Sequence, residues 1–121
     1  MVYKIMKNYY RIVDIDEDHN FKSLFHSVMN GRRNMPNETW IKAVKRVASE
    51  GTNGTKYIAG FHVLPTLEEC QLYAKKFKIK DRRRIISLHC KNLRPKKHSP
   101  SNVMLADEIF IPKDCEVYKI I

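Results

Sequence analysis

The sequence predicts a single α+β domain with a central, mostly antiparallel sheet of about five to six strands and two helices. Three observations lead there. Runs rich in aromatic and β-branched residues alternate with polar, Gly- or Pro-marked breaks along most of the chain. Two stretches between those runs carry apolar residues at helical spacing. A length of 121 residues with 43% hydrophobic content suits one domain, not two.

Residues 9–14, Tyr-Tyr-Arg-Ile-Val-Asp, read as a strand, and residues 16–20 as a polar turn. Residues 22–28 read as a second strand, placing Leu24, His26 and Val28 on one face. Residues 31–36 form a loop. Asn37 then stands at a helix N-cap position with Glu38 in the first turn. Trp40, Ile41, Val44, Val47 and Ala48 follow as an apolar stripe and Gly51 stops it, which predicts a helix over 38–49.

Residues 56–63 read as a strand interrupted at Gly60. Thr66 with Glu69 makes a capping box, and Leu67, Cys70, Ala74 and Phe77 share one face beyond it, predicting a helix over 66–78. Residues 84–91 form a strand in which Ile86, Leu88 and Cys90 face one way and Ile85, Ser87 and His89 the other. Pro95 and Pro100 bracket a basic loop. Residues 103–111 and 115–120 are two further strands joined by Pro112-Lys113-Asp114. The order is ββαβαβββ.

Composition narrows the function classes. No stretch approaches the ~20 apolar residues of a membrane helix, and residues 1–7 lack the apolar run of a signal peptide. Three cysteines, Cys70, Cys90 and Cys115, are odd in number and far apart, which argues against a disulfide framework. A reducing, cytoplasmic location is expected. The net charge of +10 favours nucleic acid or an acidic protein surface as partner. Lys75, Lys76, Lys78, Lys80, Arg82, Arg83 and Arg84 fall within ten residues, interrupted by Asp81. Arg94, Lys96, Lys97 and His98 form a second cluster and Arg32-Arg33 a third. Gathered on one side of the fold, these cations would contact several phosphates. The basic clusters are not interleaved with aromatic residues, so a base-stacking platform is not expected.

Convergent metal ligands are not indicated, because no Cys-x-x-Cys or His-x-x-His pair occurs. His89 and Cys90 are adjacent, but neighbours in a strand point to opposite faces and cannot act as a nucleophile–base pair. No Gly-rich phosphate loop is present.

Several segments carry a resemblance. Residues 24–27 (Leu-Phe-His-Ser), 57–70 (Tyr-Ile-Ala-Gly-Phe-His-Val-Leu-Pro-Thr-Leu-Glu-Glu-Cys), 92–96 (Asn-Leu-Arg-Pro-Lys) and 105–109 (Leu-Ala-Asp-Glu-Ile) together resemble a group of small proteins carried by bacteriophages and plasmids. That resemblance implies a mobile-element origin. A second resemblance is to the ADP-ribosyltransferase fold. His26 stands where that family meets the nicotinamide end of NAD. Gly60-Phe61-His62 through Tyr73-Ala74 is similar to its strand, small residue and helix, and Glu108 before Pro112-Lys113 to its closing glutamate strand. The family's paired-glutamate signature wants Glu or Gln at position 106, where this chain has Ala106. The resemblance implies His26 and Glu108 as catalytic residues, and His26, Gly60, His62 and Tyr73 as contacts for NAD.

The function expected from these readings is a non-enzymatic binding protein without cofactor. It engages host nucleic acid or an acidic host protein through Arg32, Arg33, Lys75, Lys76, Lys78, Lys80, Arg82, Arg83, Arg84, Arg94, Lys96 and Lys97. The alternatives are an NAD-dependent ADP-ribosyltransferase and a nucleotide-binding sponge on the same fold.

Overall fold

The computed structural model describes residues 7–24, 33–45, 47–49, 56–78, 80–96, 99 and 101–121. In chain order the elements are β1 (Tyr9–Ile15), β2 (Phe21–Lys22), β3 (Trp40–Lys42), β4 (Val47–Ser49), β5 (Lys56–Ile58), β6 (Phe61–Val63), α1 (Leu67–Ala74), β7 (Arg83–Pro95), β8 (Met104–Phe110) and β9 (Val117–Lys119). The domain is mostly antiparallel sheet with one helix among the described residues.

β7, at 13 residues, organises the sheet. Its first half pairs with β1 on one side and β9 on the other, and its second half pairs with β8. β8 carries β6 and β3 on its other edge. Together with β2 beside β1 these make a seven-stranded sheet, while β4 and β5 form a separate hairpin pair. A bridge between Tyr10 and Leu64, whose N–H and C=O groups bond reciprocally at 2.9 and 2.8 Å, links β1 to the end of β6. The run β1–β7–β8–β6 thereby closes on itself as a small barrel, which leaves those strands few open edges.

The alternation expected in β7 is present. Ile86, Leu88 and Cys90 pack into one core with Val13, Phe61, Val63, Ala106 and Ile109. Ile85 packs on the opposite face with Ile12, Leu64 and the α1 residues Cys70 and Ala74. Asn92 then adopts a left-handed backbone at φ 56°, a conformation that asparagine tolerates better than most residues. Beyond it the alternation is reset, and Leu93 packs into the core that Cys90 served before it.

α1 begins as expected. The Glu69 N–H donates to Thr66 Oγ1 at 3.1 Å, and the Thr66 hydroxyl donates to Glu69 Oε2 at 3.0 Å. It ends at Ala74, earlier than expected, because Lys75, Lys76 and Phe77 each bond back only three residues. That tighter winding closes a helix instead of propagating it.

The helix predicted over 38–49 is not formed; β3 and β4 stand in its place. Glu38 has φ 61°, which breaks a right-handed helix at its first turn. The Asn37 side chain donates to the Pro112 carbonyl instead of capping a helix. Trp40, Ile41 and Lys42 pair with Phe110, Ile109 and Glu108 and cover the open edge of β8. Val47, expected on a buried helical face, is 60% exposed. The segment's aromatic and β-branched residues suit a pleated surface, and the partner strand decides the outcome. Of the strand predicted over 22–28 only Lys22 lies in a strand, β2; Ser23 and Leu24 leave it, and residues 25–28, including His26, lie outside the described residues. No helix among the described residues is long and apolar enough to cross a membrane.

Candidate functional site: a basic groove beside the helix end

The basic run after α1 divides into two kinds of residue. Arg83 is only 8% exposed and is held internally. Its Nε donates to Asp14 Oδ1 at 2.9 Å, its Nη2 to Asp14 Oδ2 at 3.3 Å, and its Nη1 to the Lys78 carbonyl at 3.1 Å. Arg33 joins the same carboxylate at 3.3 Å. Lys75, Lys76, Lys78, Lys80 and Arg82 are exposed, and Lys75 and Lys76 lie where positive charge complements the carbonyl end of α1.

A groove of about 250 Å3 opens between this segment, the end of α1 and the end of β9. Its apolar part comes from Ala74, Phe77 and Ile120. Lys78, Lys80, Arg84 and Lys119 line it too, together with Arg83 and the acid Asp81. Among the described residues none of those four cations lies within ion-pairing distance of a carboxylate. Arg84 instead donates to the carbonyls of Asp81 and Arg83 at 2.6 and 2.9 Å.

Arg84 and Lys119 stand directly opposite each other across β7 and β9. Like charges in that relation repel and weaken the pairing. An anion seated between them would remove the repulsion. Lys119 is absent from the basic clusters visible in the sequence, and only the strand register brings it to the groove.

The second basic cluster sits elsewhere. Arg84 and Arg94 are separated along β7 by roughly 33 Å of extended chain. Arg94 is also an internal tether. It pairs with Asp107, and its Nη2 donates to the carbonyls of Ile58 and Ala59 at 2.9 and 3.0 Å. Arg32 and Lys97 lie outside the described residues.

Of the residues expected to meet a nucleotide, His26 lies outside the described residues. None of Gly60, His62, Tyr73 and Glu108 lines the groove. Gly60 is packed against β8, where an added Cβ would lie 3.1 Å from the Ala106 carbonyl oxygen and 3.2 Å from Arg94 Nη2. Its bare backbone serves this close approach. His62 is held down to a pKa of about 3, chiefly by burial, with Lys96 and Arg11 adding repulsion. The neutral ring accepts a hydrogen bond at Nε2 from Lys96 Nζ at 3.1 Å and meets the Tyr57 ring edge-on. Lys96 also lies 4.6 Å from the Tyr57 ring centre. Tyr73 packs edge-to-face on Phe77 along α1. Glu108 lies in register between Lys42 of β3 and Lys91 of β7, so its charge faces two cations on one sheet face.

One buried cation has no counterpart in the sequence reading. Arg11 is 7% exposed. It donates to the His62 carbonyl at 3.0 Å and to Ser23 Oγ at 2.9 Å, while its Nε has no partner. Burial pulls its pKa down to about 10, and its guanidinium lies over the Phe61 ring at 5.2 Å. Its place in an alternating strand shows that it faces the interior, but its neighbours could not be read from the sequence. Among the described residues no three His, Cys, Asp or Glu side chains gather as metal ligands.

Compared with known proteins, the chain matches no family model, no curated protein and no solved structure.

Proposed function

We propose that this chain binds polyanions, nucleic acid first, by seating backbone phosphates in the groove between α1, residues 78–84 and β9. The observation that carries the reading is the pairing of Arg84 with Lys119 across two strands, flanked by Lys78 and Lys80 and unopposed by an ion-paired carboxylate among the described residues. A phosphate there converts a repulsive cross-strand pair into two charge-assisted contacts. Exposed Lys75, Lys76 and Arg82 extend the positive field around the groove and speed the encounter. The resemblance to phage and plasmid proteins adds a host nucleic acid as target and a modulating role, and that part rests on sequence alone.

The test is oligonucleotide binding by fluorescence anisotropy across a salt series. Four neutralised phosphates give a slope of about −3 in log affinity against log salt. Lys78→Glu combined with Lys80→Glu should weaken binding at least about tenfold and flatten that slope. An unchanged affinity and slope in the double variant would reject the groove. Transfer of label from NAD to a target, abolished by Glu108→Gln, would replace this reading with the enzymatic one.

A further inference from the structure

β3, β8 and β7 place three rings side by side. Trp40 is in register with Phe110, and Phe110 with His89. The Trp40 and Phe110 rings are 5.4 Å apart, and the His89 and Phe110 rings lie nearly parallel at 17° with centres 6.4 Å apart. Two residues along, the same register sets Lys42, Glu108 and Lys91 in a row. Lys91 Nζ lies 4.0 Å from the Trp40 ring centre.

This face looks away from the core. The residues alternating with the rings, Ile41, Ile109 and Cys90, pack inward, so the rings point the other way. All three ring residues remain partly solvent-exposed, and Lys42 and Lys91 are exposed. A cross-strand aromatic ladder stabilises a sheet wherever it sits. Two lysines flank it, outnumbering Glu108 between them, and on a chain of net charge +10 that balance favours a partner that is both planar and anionic.

We infer that the outer face of β3, β8 and β7 is a stacking platform for single-stranded nucleic acid, with Trp40, Phe110 and His89 against bases and Lys42 and Lys91 toward phosphates. The inference rests on the nucleic-acid reading above and specifies the form of nucleic acid. Unpaired bases offer a π-face to an aromatic side chain, whereas a duplex hides those faces within its stack. The sequence separates these rings by up to 70 positions, from Trp40 to Phe110, so the absence of interleaved aromatic residues within the basic clusters did not exclude the platform.

Trp40 is the single tryptophan and reports on the site directly. The intact chain is titrated with a short oligothymidylate and with a duplex of equal length at about 50 mM salt. Quenching of Trp40 emission by the single strand, with weaker or no quenching by the duplex, is the expected result. Phe110→Leu should lower single-strand affinity about tenfold, and Lys91→Gln should lower it and its salt dependence. Each variant is first matched to the parent by thermal unfolding, and the parent's quenching needs no variant. Binding lost in Lys78→Glu/Lys80→Glu, but with unquenched Trp40 emission and parental affinity in Phe110→Leu, would overturn the platform and leave the groove standing. No binding to single strand, duplex or heparin would overturn both.

Discussion

Asp14 and Arg83 face each other across β1 and β7 and are joined by two hydrogen bonds, Nε to Oδ1 at 2.9 Å and Nη2 to Oδ2 at 3.3 Å. The carboxylate is partly buried and also receives Arg33, so one acid holds two arginines. Through the third donation, from Arg83 Nη1 to the Lys78 carbonyl, this pair anchors the segment that forms the groove wall.

Asp14→Asn should therefore destabilise the fold by about 2 kcal/mol, below the range for a fully buried pair because water reaches this one. Removing the charge leaves Arg83 buried without its counter-ion. Arg83→Lys should cost about 1 kcal/mol, since an ammonium cannot reproduce the two-pronged geometry. Urea unfolding measures both, and an Asp14→Asn midpoint equal to that of the parent would contradict the account.

His62 makes stability depend on pH in a definite direction. Its folded pKa of about 3 lies below its ordinary value of 6.5. The unfolded chain therefore takes up a proton that the folded chain refuses. The contribution is intact above about pH 6.5 and is lost as pH falls toward about 3. Between about pH 7 and about pH 5 it amounts to roughly 2 kcal/mol. Denaturant unfolding at those two values should show this loss in the parent and a smaller one in His62→Gln. An equal loss in both proteins would place the titration elsewhere.

The three thiols should react in order of burial. Burial pushes Cys70 and Cys90 up to about 12, and Cys70 is fully enclosed in the core. Cys115 is raised too, first by burial and then by Asp114, but it is less deeply set. Since the thiolate is the reactive form, alkylation of the folded protein at about pH 8 should label Cys115 first and Cys70 only on unfolding. Mass spectrometry of digested samples over time would read the order, and early labelling of Cys70 would show that α1 does not pack it against the sheet as described.

Much was legible in short stretches of sequence. Thr66 and Glu69 are three residues apart and meet within one helical turn, so the start of α1 needed no distant partner. Ile85 and Ile86 feed opposite cores because successive strand residues alternate. The turn at residues 16–20 likewise closes on itself, with Asp16 Oδ1 accepting the N–H groups of Asp18 and Asn20 at 2.9 Å.

The chain's sequence by itself determined the predominance of antiparallel strands, the helix start, the alternation within β7 and the excess of positive charge, because each depends on residues a few positions apart. Tertiary structure alone decided that residues 40–42 become a strand on β8, that Arg83 turns inward while Arg94 is tied to Asp107, that Lys119 meets Arg84, and that Trp40, Phe110 and His89 form one row. Those relations join positions tens of residues apart, and strand register sets them: a shift of one residue would send each side chain to the other face.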